Sequence, residues 1–479
     1  MNLPLSDLGI PSGDTVIKLS TLLPLAVVFA HLVPRSIPGP FLAKFSDIWL
    51  GWVSSLGHRS DVVHELHKKY GPLVRLAPNH VSVADPDTLQ VVYAHGNGSL
   101  KSDFYDAFVS IQSVLEFEPI ARSYMVQLFQ QWDRLYDSAL KGNSGDDGEG
   151  GWYGRDGMLW FDCLPLQVAV SHKDAMGSYG SEHECEVIHI PAVQILNRRG
   201  EYSASMGVLP PHWRPYARLL PWYRQGSEAV ENLAGIAVAA VAKRLTTPTD
   251  RVDLLSKLQE GRDDEGRPMG KEELTAEALT QLIAGSDTTS NSSCAISYYI
   301  ALHPRVQEKL QKELDEASGT EDDGVFTYEQ VKRLPYLEAV INEGLRVHST
   351  SSLGLPRVAP EGGLTIKGVH FPQGTVLSVP TYTIHRDTQA WGEDADQFRP
   401  ERWFERDHAA MQKAFNPFSY GPRACVGRNL ASMELLIIIS SIFRRYHFVL
   451  AEPDKPLDTR EGFLRKPLEC RVGIKRRGI

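Results

Sequence analysis

FSYGPRACVG, residues 418–427, decides how this chain is read. A single cysteine, Cys425, stands in a loop bounded by Gly421 and Gly427, two residues after Arg423, and an apolar segment follows at once. A thiolate can hold haem iron as axial ligand and push electron density toward the opposite oxygen position, which favours O–O cleavage. Glycine accepts backbone angles closed to other residues and lets main-chain amides approach the sulfur. Residues 430–446, LASMELLIIISSIFRRY, have the pattern of a long helix, so the sulfur is expected near a helix N-terminus, where the dipole favours negative charge and lowers a thiol pKa. Arg423 is placed to offer its guanidinium to a haem propionate. The whole pattern F-x-x-G-x-R-x-C-x-G is present from Phe418 onward, which an isolated buried cysteine would not require.

Upstream, residues 274–302 carry a long helical pattern containing AGSDTT at 284–289. At helical spacing Thr280, Ala284, Asp287, Thr288 and Asn291 share one face, a stripe of small and polar groups in an otherwise apolar helix. Gly285 weakens that helix by about 1 kcal/mol relative to alanine. The Thr288 hydroxyl can bond back to the carbonyl four residues earlier and bend it. An acid and a hydroxyl at this place suit proton delivery to bound dioxygen. On a second helical pattern, residues 337–347, Glu343 and Arg346 lie three apart and on one face. FRPERW at 398–403 brings Arg402 as a second guanidinium for a buried Glu343, with charge-assisted bonds of about 1.5 to 3 kcal/mol each.

The remaining elements are LVRL and VSVA around the turn APNH (73–84), which read as a hairpin, a helix at 61–70, a helix at 304–316, and a second β region at 364–379 with Gly and Pro at its corners. Glycine- and acid-rich stretches at 142–157, 261–270 and 318–324 read as surface loops. The expected fold is mainly α with small β-sheets.

The chain has 479 residues, a net charge of −9 and a pI near 6.0, which argues against nucleic acid as partner. Its five cysteines, Cys163, Cys185, Cys294, Cys425 and Cys470, are widely spaced and make no C-x-x-C pair, so a reducing compartment is expected for the bulk of the chain. Residues 16–33 are apolar apart from Lys18, His31 and a few hydroxyls, enough for a short membrane span. Asp7 and Asp14 precede the run and Arg35 and Lys44 follow it, which puts the bulk on the cytoplasmic side. PRSIPGP (34–40) then stops any helix. Residues 1–33 are therefore read as a membrane anchor and 34–479 as one catalytic domain.

Taken in order, AGSDTT, E-x-x-R, PERW and FSYGPRACVG resemble the cytochrome P-450 superfamily. The stretches KSDFYDAFVSI (101–111), SSLGLPRVAP (351–360) and EGFLRKPLECRVG (461–473) are similar to the fungal benzoate 4-hydroxylases. The resemblance implies haem b, with Cys425 as the iron ligand. It implies Thr288 and Asp287 as the oxygen-activating pair, and Glu343, Arg346 and Arg402 as a folding triad. Phe418, Gly421, Arg423 and Arg357 become cofactor contacts, the arginines at the propionates. The implied reaction inserts one oxygen atom of O2 into benzoate at the para position. Electrons come from NADPH through NADPH–cytochrome P-450 reductase, at the endoplasmic reticulum membrane. The small, polar stretch 349–354 is expected near the substrate.

Two departures from the family pattern stand out. Related chains carry a helix with W/H-x-x-x-R before SVLEFEP, but here Ile111 runs directly into Gln112, and Trp132 has Tyr136, not arginine, four residues on. Around residues 165–184, LQVAVSHKDAMGSYG replaces an expected apolar helix. A shortened, non-catalytic family member that holds haem weakly or not at all therefore stays open, as does another haem-thiolate reaction such as isomerisation or dehydration.

Overall fold

The computed structural model describes residues 34, 36–104, 118–142, 144, 153–155, 158–162, 192–246, 258–261, 266–318 and 324–478. The apolar run at 16–33, the join after Ile111 and the stretch at 165–184 lie outside the described residues. Among the described residues no helix is long and apolar enough to cross a membrane.

Helices α1 (Ile48–Leu56) and α2 (Arg59–Tyr70) lead into the antiparallel hairpin β1 (Leu73–Ala77) and β2 (His80–Val83), turned at Pro78 and Asn79. Then come α3 (Thr88–Tyr93), β3 (Leu100–Lys101), α4 (Glu118–Leu140), β4 (Tyr153–Arg155), β5 (Met158–Asp162), α5 (Ala192–Val208) and α6 (Pro221–Thr246). Three helices follow, α7 (Lys271–Leu302), α8 (Pro304–Ala317) and α9 (Pro335–His348), and then β6 (Arg357–Val358), β7 (Leu364–Ile366), β8 (Val369–Phe371) and β9 (Val376–Ser378). The chain closes with α10 (Arg428–Arg445), β10 (Tyr446–Leu450), β11 (Thr459–Glu461), β12 (Arg465–Pro467) and β13 (Arg471–Arg476). Helix dominates and the sheets are small.

The helices form where the sequence favours them. Glu272 and Glu273 sit in the first turn of α7, where the dipole favours acid. Pro304 opens α8, where its missing N–H costs nothing, and Val306, Leu310 and Leu314 make the buried stripe of that helix. The main core gathers the C-terminal half of α7 with α8, α9 and the apolar run of α10, of which Ile437, Ile439, Ile442 and Phe443 are fully buried. Each such side chain contributes about 1.5 to 3 kcal/mol on leaving water.

Residues 142–157, expected as a loop, contain β4. It forms because β5 adds to the sheet of β10 and β13, giving the order β10-β13-β5-β4, and so offers Tyr153–Arg155 a partner strand that local composition does not reveal. The larger sheet runs β1-β2-β9-β6-β3. Its register sets His80 opposite Val376 and Val358 opposite Val376, with Lys101 opposite Arg357 and Arg357 opposite Leu377. Since strand side chains alternate between faces, His80, Val376 and Val358 share one face and Lys101, Arg357 and Leu377 the other.

Candidate functional site

The Cys425 loop is shaped by backbone constraints. Gly421 has φ +71°, and a Cβ there would collide with the Tyr93 carbonyl at the end of α3, so only glycine fits. A short 3-10 turn, Gly421–Arg423, is closed by the Ala424 N–H on the Gly421 carbonyl (3.0 Å), and the Cys425 N–H donates to the Phe418 carbonyl (2.7 Å). Phe418 packs against the main core, and Gly427 caps α10, so Cys425 sits two residues ahead of that cap. Cys425 is exposed, whereas Cys294 and Cys470 are buried.

The thiol differs from the sequence expectation. Although Cys425 reaches solvent, the loop packed around its sulfur desolvates the thiol and pushes it up, and the Gly427 N–H and the Arg428 charge, which pull it down, are the smaller effects.

Helix α7 changes character along its length. Ala284 and Gly285 are exposed, and a Cβ on Gly285 would meet nothing within 4 Å, whereas Thr289 through Tyr298 are buried. The Thr288 hydroxyl donates to the Ala284 carbonyl (2.8 Å), leaving its lone pairs outward. Thr289 crosses to α10, its Oγ1 donating to Glu434 Oε2 (3.0 Å). Burial raises the Glu434 carboxyl to about 7 against the smaller effect of that bond, so the acid is half protonated near neutrality.

Asp287 and Thr288 are not joined by a hydrogen bond. Lys466 Nζ on β12 donates to both Asp287 oxygens (2.8 and 2.7 Å), and Asn291 Nδ2 donates to Oδ1 (3.1 Å). The stripe is therefore split into an exposed part at Ala284 and a tied part at Asp287 and Asn291. The 349–354 stretch is likewise committed to protein partners: Ser349 Oγ to the Arg346 carbonyl, Thr350 Oγ1 to Ser292 Oγ, and Ser352 Oγ to Glu461. Those three hydroxyls are not open donors for a carboxylate.

Glu343, Arg346 and Arg402 meet with no side-chain exposure. Arg346 donates through Nε and Nη2 (2.9 and 2.8 Å), Arg402 through Nε (2.8 Å), Trp403 through Nε1 (3.1 Å) and the Arg399 backbone N–H (2.9 Å), so both Glu343 oxygens are filled. Nearby, burial pushes the Asp394 carboxyl up, but bonds from Arg402 and Arg399 outweigh it together and hold it at about 2.

Arg357 is buried, its guanidinium 5.0 Å from the Tyr93 ring centre and its Nη1 on the Pro356 carbonyl (3.1 Å). Lys101, which the sequence reading passed over, lies in the fields of Arg423 and Arg357; burial lowers its pKa first and those two charges lower it further. Strand pairing brings Lys101 beside Arg357, and no sequence spacing reveals this. Lys466 and Glu434 were missed for the same reason. A thiol in a glycine-bounded loop, a nearby group of three cations and an open stretch of α7 form a donor set suited to an iron macrocycle bearing two carboxylates.

The cytochrome P450 family model matches residues 190–474. Benzoate 4-monooxygenase bphA of Aspergillus niger is 46% identical over 519 aligned positions, covering 99% of this chain and 98% of that protein. Cytochrome P450 monooxygenase gsfF of Penicillium aethiopicum is 30% identical, covering 95% and 98%, and pisatin demethylase of Fusarium vanettenii is 27% identical, covering 88% and 84%. The first alignment is longer than the 479 residues of this chain, so internal residues of that relative have no counterpart here.

Proposed function

The chain belongs to the cytochrome P450 family of haem monooxygenases, enzymes that take O2 and an organic substrate, and from that premise we propose that it hydroxylates a small aromatic acid, with benzoate attacked at the para position. The observation that carries the chemistry is the exposed Cys425 thiol at the head of α10, in a chain whose α7 leaves Ala284 and Gly285 open. The 46% identity to a benzoate 4-monooxygenase over nearly the whole of both chains supports the substrate.

In this reading Cys425 ligates the iron, and Arg357, Arg423 and Lys101 hold the propionates. Bound haem supplies dioxygen activation at a sulfur-ligated iron. Thr288 Oγ1, donating to Ala284, keeps lone pairs outward to accept and pass a proton. Asp287 relays protons once its carboxylate leaves Lys466 Nζ and takes one up from solvent, so Lys466 sets when that acid is available. Electrons come from NADPH through NADPH–cytochrome P450 reductase. Residues 16–33 anchor the chain in the endoplasmic reticulum membrane with its catalytic part cytoplasmic, a reading supported by the apolar run and its flanking charges.

A second reading, a shortened chain that holds haem weakly, is favoured by the internal residues of the relative that lack a counterpart here and by the absence of W/H-x-x-x-R between Gln112 and Ser138. Incubation of the haem-loaded chain with reductase, NADPH and benzoate separates the two. 4-Hydroxybenzoate formed in proportion to NADPH supports the proposal, and a chain that takes up haem yet forms none contradicts it.

A further inference from the structure

A cavity of about 380 Å³ lies between the start of α2, one face of the five-stranded sheet and the end of α5. Leu50, Val208, Leu209, Val358 and Val376 give it apolar walls. Among its described lining residues Arg59 is the one lysine or arginine. It is 4% exposed, and its Nη1 has no hydrogen-bond partner. A buried, unused guanidinium donor costs free energy unless something fills it.

The surroundings explain why the charge is tolerated and the donor left open. Glu461, 2% exposed, supplies an opposing field to Arg59, but no ion pair joins them. Its oxygens are occupied by the Ser60 N–H (2.7 Å), the Ser60 hydroxyl (2.6 Å) and the Ser352 hydroxyl. Burial lowers the Arg59 pKa to about 10, which leaves it cationic at neutral pH. His80, lowered to about 3 by burial and then by Arg59, stays neutral and shares a hydrogen bond with Ser378 Oγ (2.8 Å). Of the lining acids, Asp103 is exposed and Asp47 is pushed up by burial. Val358 and Val376 line the cavity from the sheet face opposite Lys101 and Arg357, so this place is separate from the cations near Cys425.

We infer that this cavity is a binding site for a small molecule with one carboxylate and an apolar body, the carboxylate on Arg59 and the body against Leu50, Val208 and Val376. Guanidinium matches carboxylate geometry with paired donors, and the apolar walls take a ring. It is a second station for an acid, across the sheet from the thiolate site, and it rests on the proposed function only for the choice of benzoate as probe.

The test uses the full chain with imidazole in excess to occupy the iron, and follows binding of 4-fluorobenzoate and 4-fluorobenzamide by fluorine NMR. The acid is expected to bind at least tenfold more tightly than the amide. Arg59→Gln should weaken the acid by about tenfold to a hundredfold, with Arg59→Lys recovering part. Equal binding of acid and amide by the unaltered chain overturns the inference, as does full affinity in a folded Arg59→Gln protein. If that variant does not fold, the acid–amide comparison decides. Arg59-dependent binding without 4-hydroxybenzoate formation refutes the reaction and leaves this site; hydroxylation without Arg59-dependent binding does the reverse.

Discussion

Two charged centres lie within some eighty residues of each other in sequence and are built on opposite principles. Around Glu343 every donor has an acceptor, the side chains of Glu343, Arg346 and Arg402 are wholly buried, and the strands of chain they tie together cannot separate without stranding a charge. Around Cys425 the loop is held by glycine geometry and main-chain bonds, and its thiol and Arg423 remain exposed. The first centre is complete within the protein and serves the fold. The second is arranged to meet something else, which is why its thiol and Arg423 are left accessible and its cations, Lys101, Arg357 and Arg423, tolerate one another's fields.

Breaking the closed centre should have the largest effect. Glu343→Ala leaves two buried guanidinium groups without their carboxylate and is expected to cost about 3 to 5 kcal/mol, measured by denaturant unfolding. An unchanged midpoint would mean that the centre is not a stability element.

Glu434 lies between the two designs, half-buried and, among the described residues, accepting a hydrogen bond from Thr289. Its folded pKa, about 7, is above the unfolded value, so the stability linked to its protonation is fully present below about pH 4.5 and is lost as pH rises through 7. Glu434→Gln should therefore be more stable than the parent at pH 8, by roughly 3 kcal/mol at most, and no more stable at pH 4.5. Parallel unfolding curves at both pH values for parent and variant would refute the shift.

At the open centre, Lys101→Met should weaken haem affinity by up to about tenfold, since an exposed lysine contributes less than a buried one, with the unfolding midpoint of the haem-free chain unmoved. Haem titration checks it, and equal affinity removes Lys101 from the propionate set. The smallest structural effect is expected from Thr288→Ala, which removes one exposed back-bond to the helix's own carbonyl and should barely move the unfolding midpoint. Its functional effect is larger: product formed per NADPH should fall at least tenfold while benzoate binding persists.

The two centres were not equally legible. Glu343 and Arg346 stand three apart on one helix, and a second arginine in PERW completes the arrangement, so helical spacing and the need to pair a buried charge sufficed. The loop geometry at Gly421 was legible for a similar reason, because a position that excludes Cβ must be glycine. The thiol shift was misread, since a helix dipole shows in sequence and desolvation does not. Lys101, Lys466 and Glu434 were invisible because strand pairing and helix packing bring them to Arg357, Asp287 and Thr289 over separations that no local pattern encodes. The strand within 142–157 was missed likewise, its partner lying in β5 and the sheet beyond.

The central claim is that Cys425 holds haem iron through its sulfur. The most direct measurement is the reduced, carbon-monoxide difference spectrum of the full chain beside that of Cys425→Ser. A red-shifted thiolate-type Soret band in the parent, lost in the variant whatever haem it retains, is the expected result. The same band in both proteins, or a parent that takes up haem and shows no such band, would contradict it.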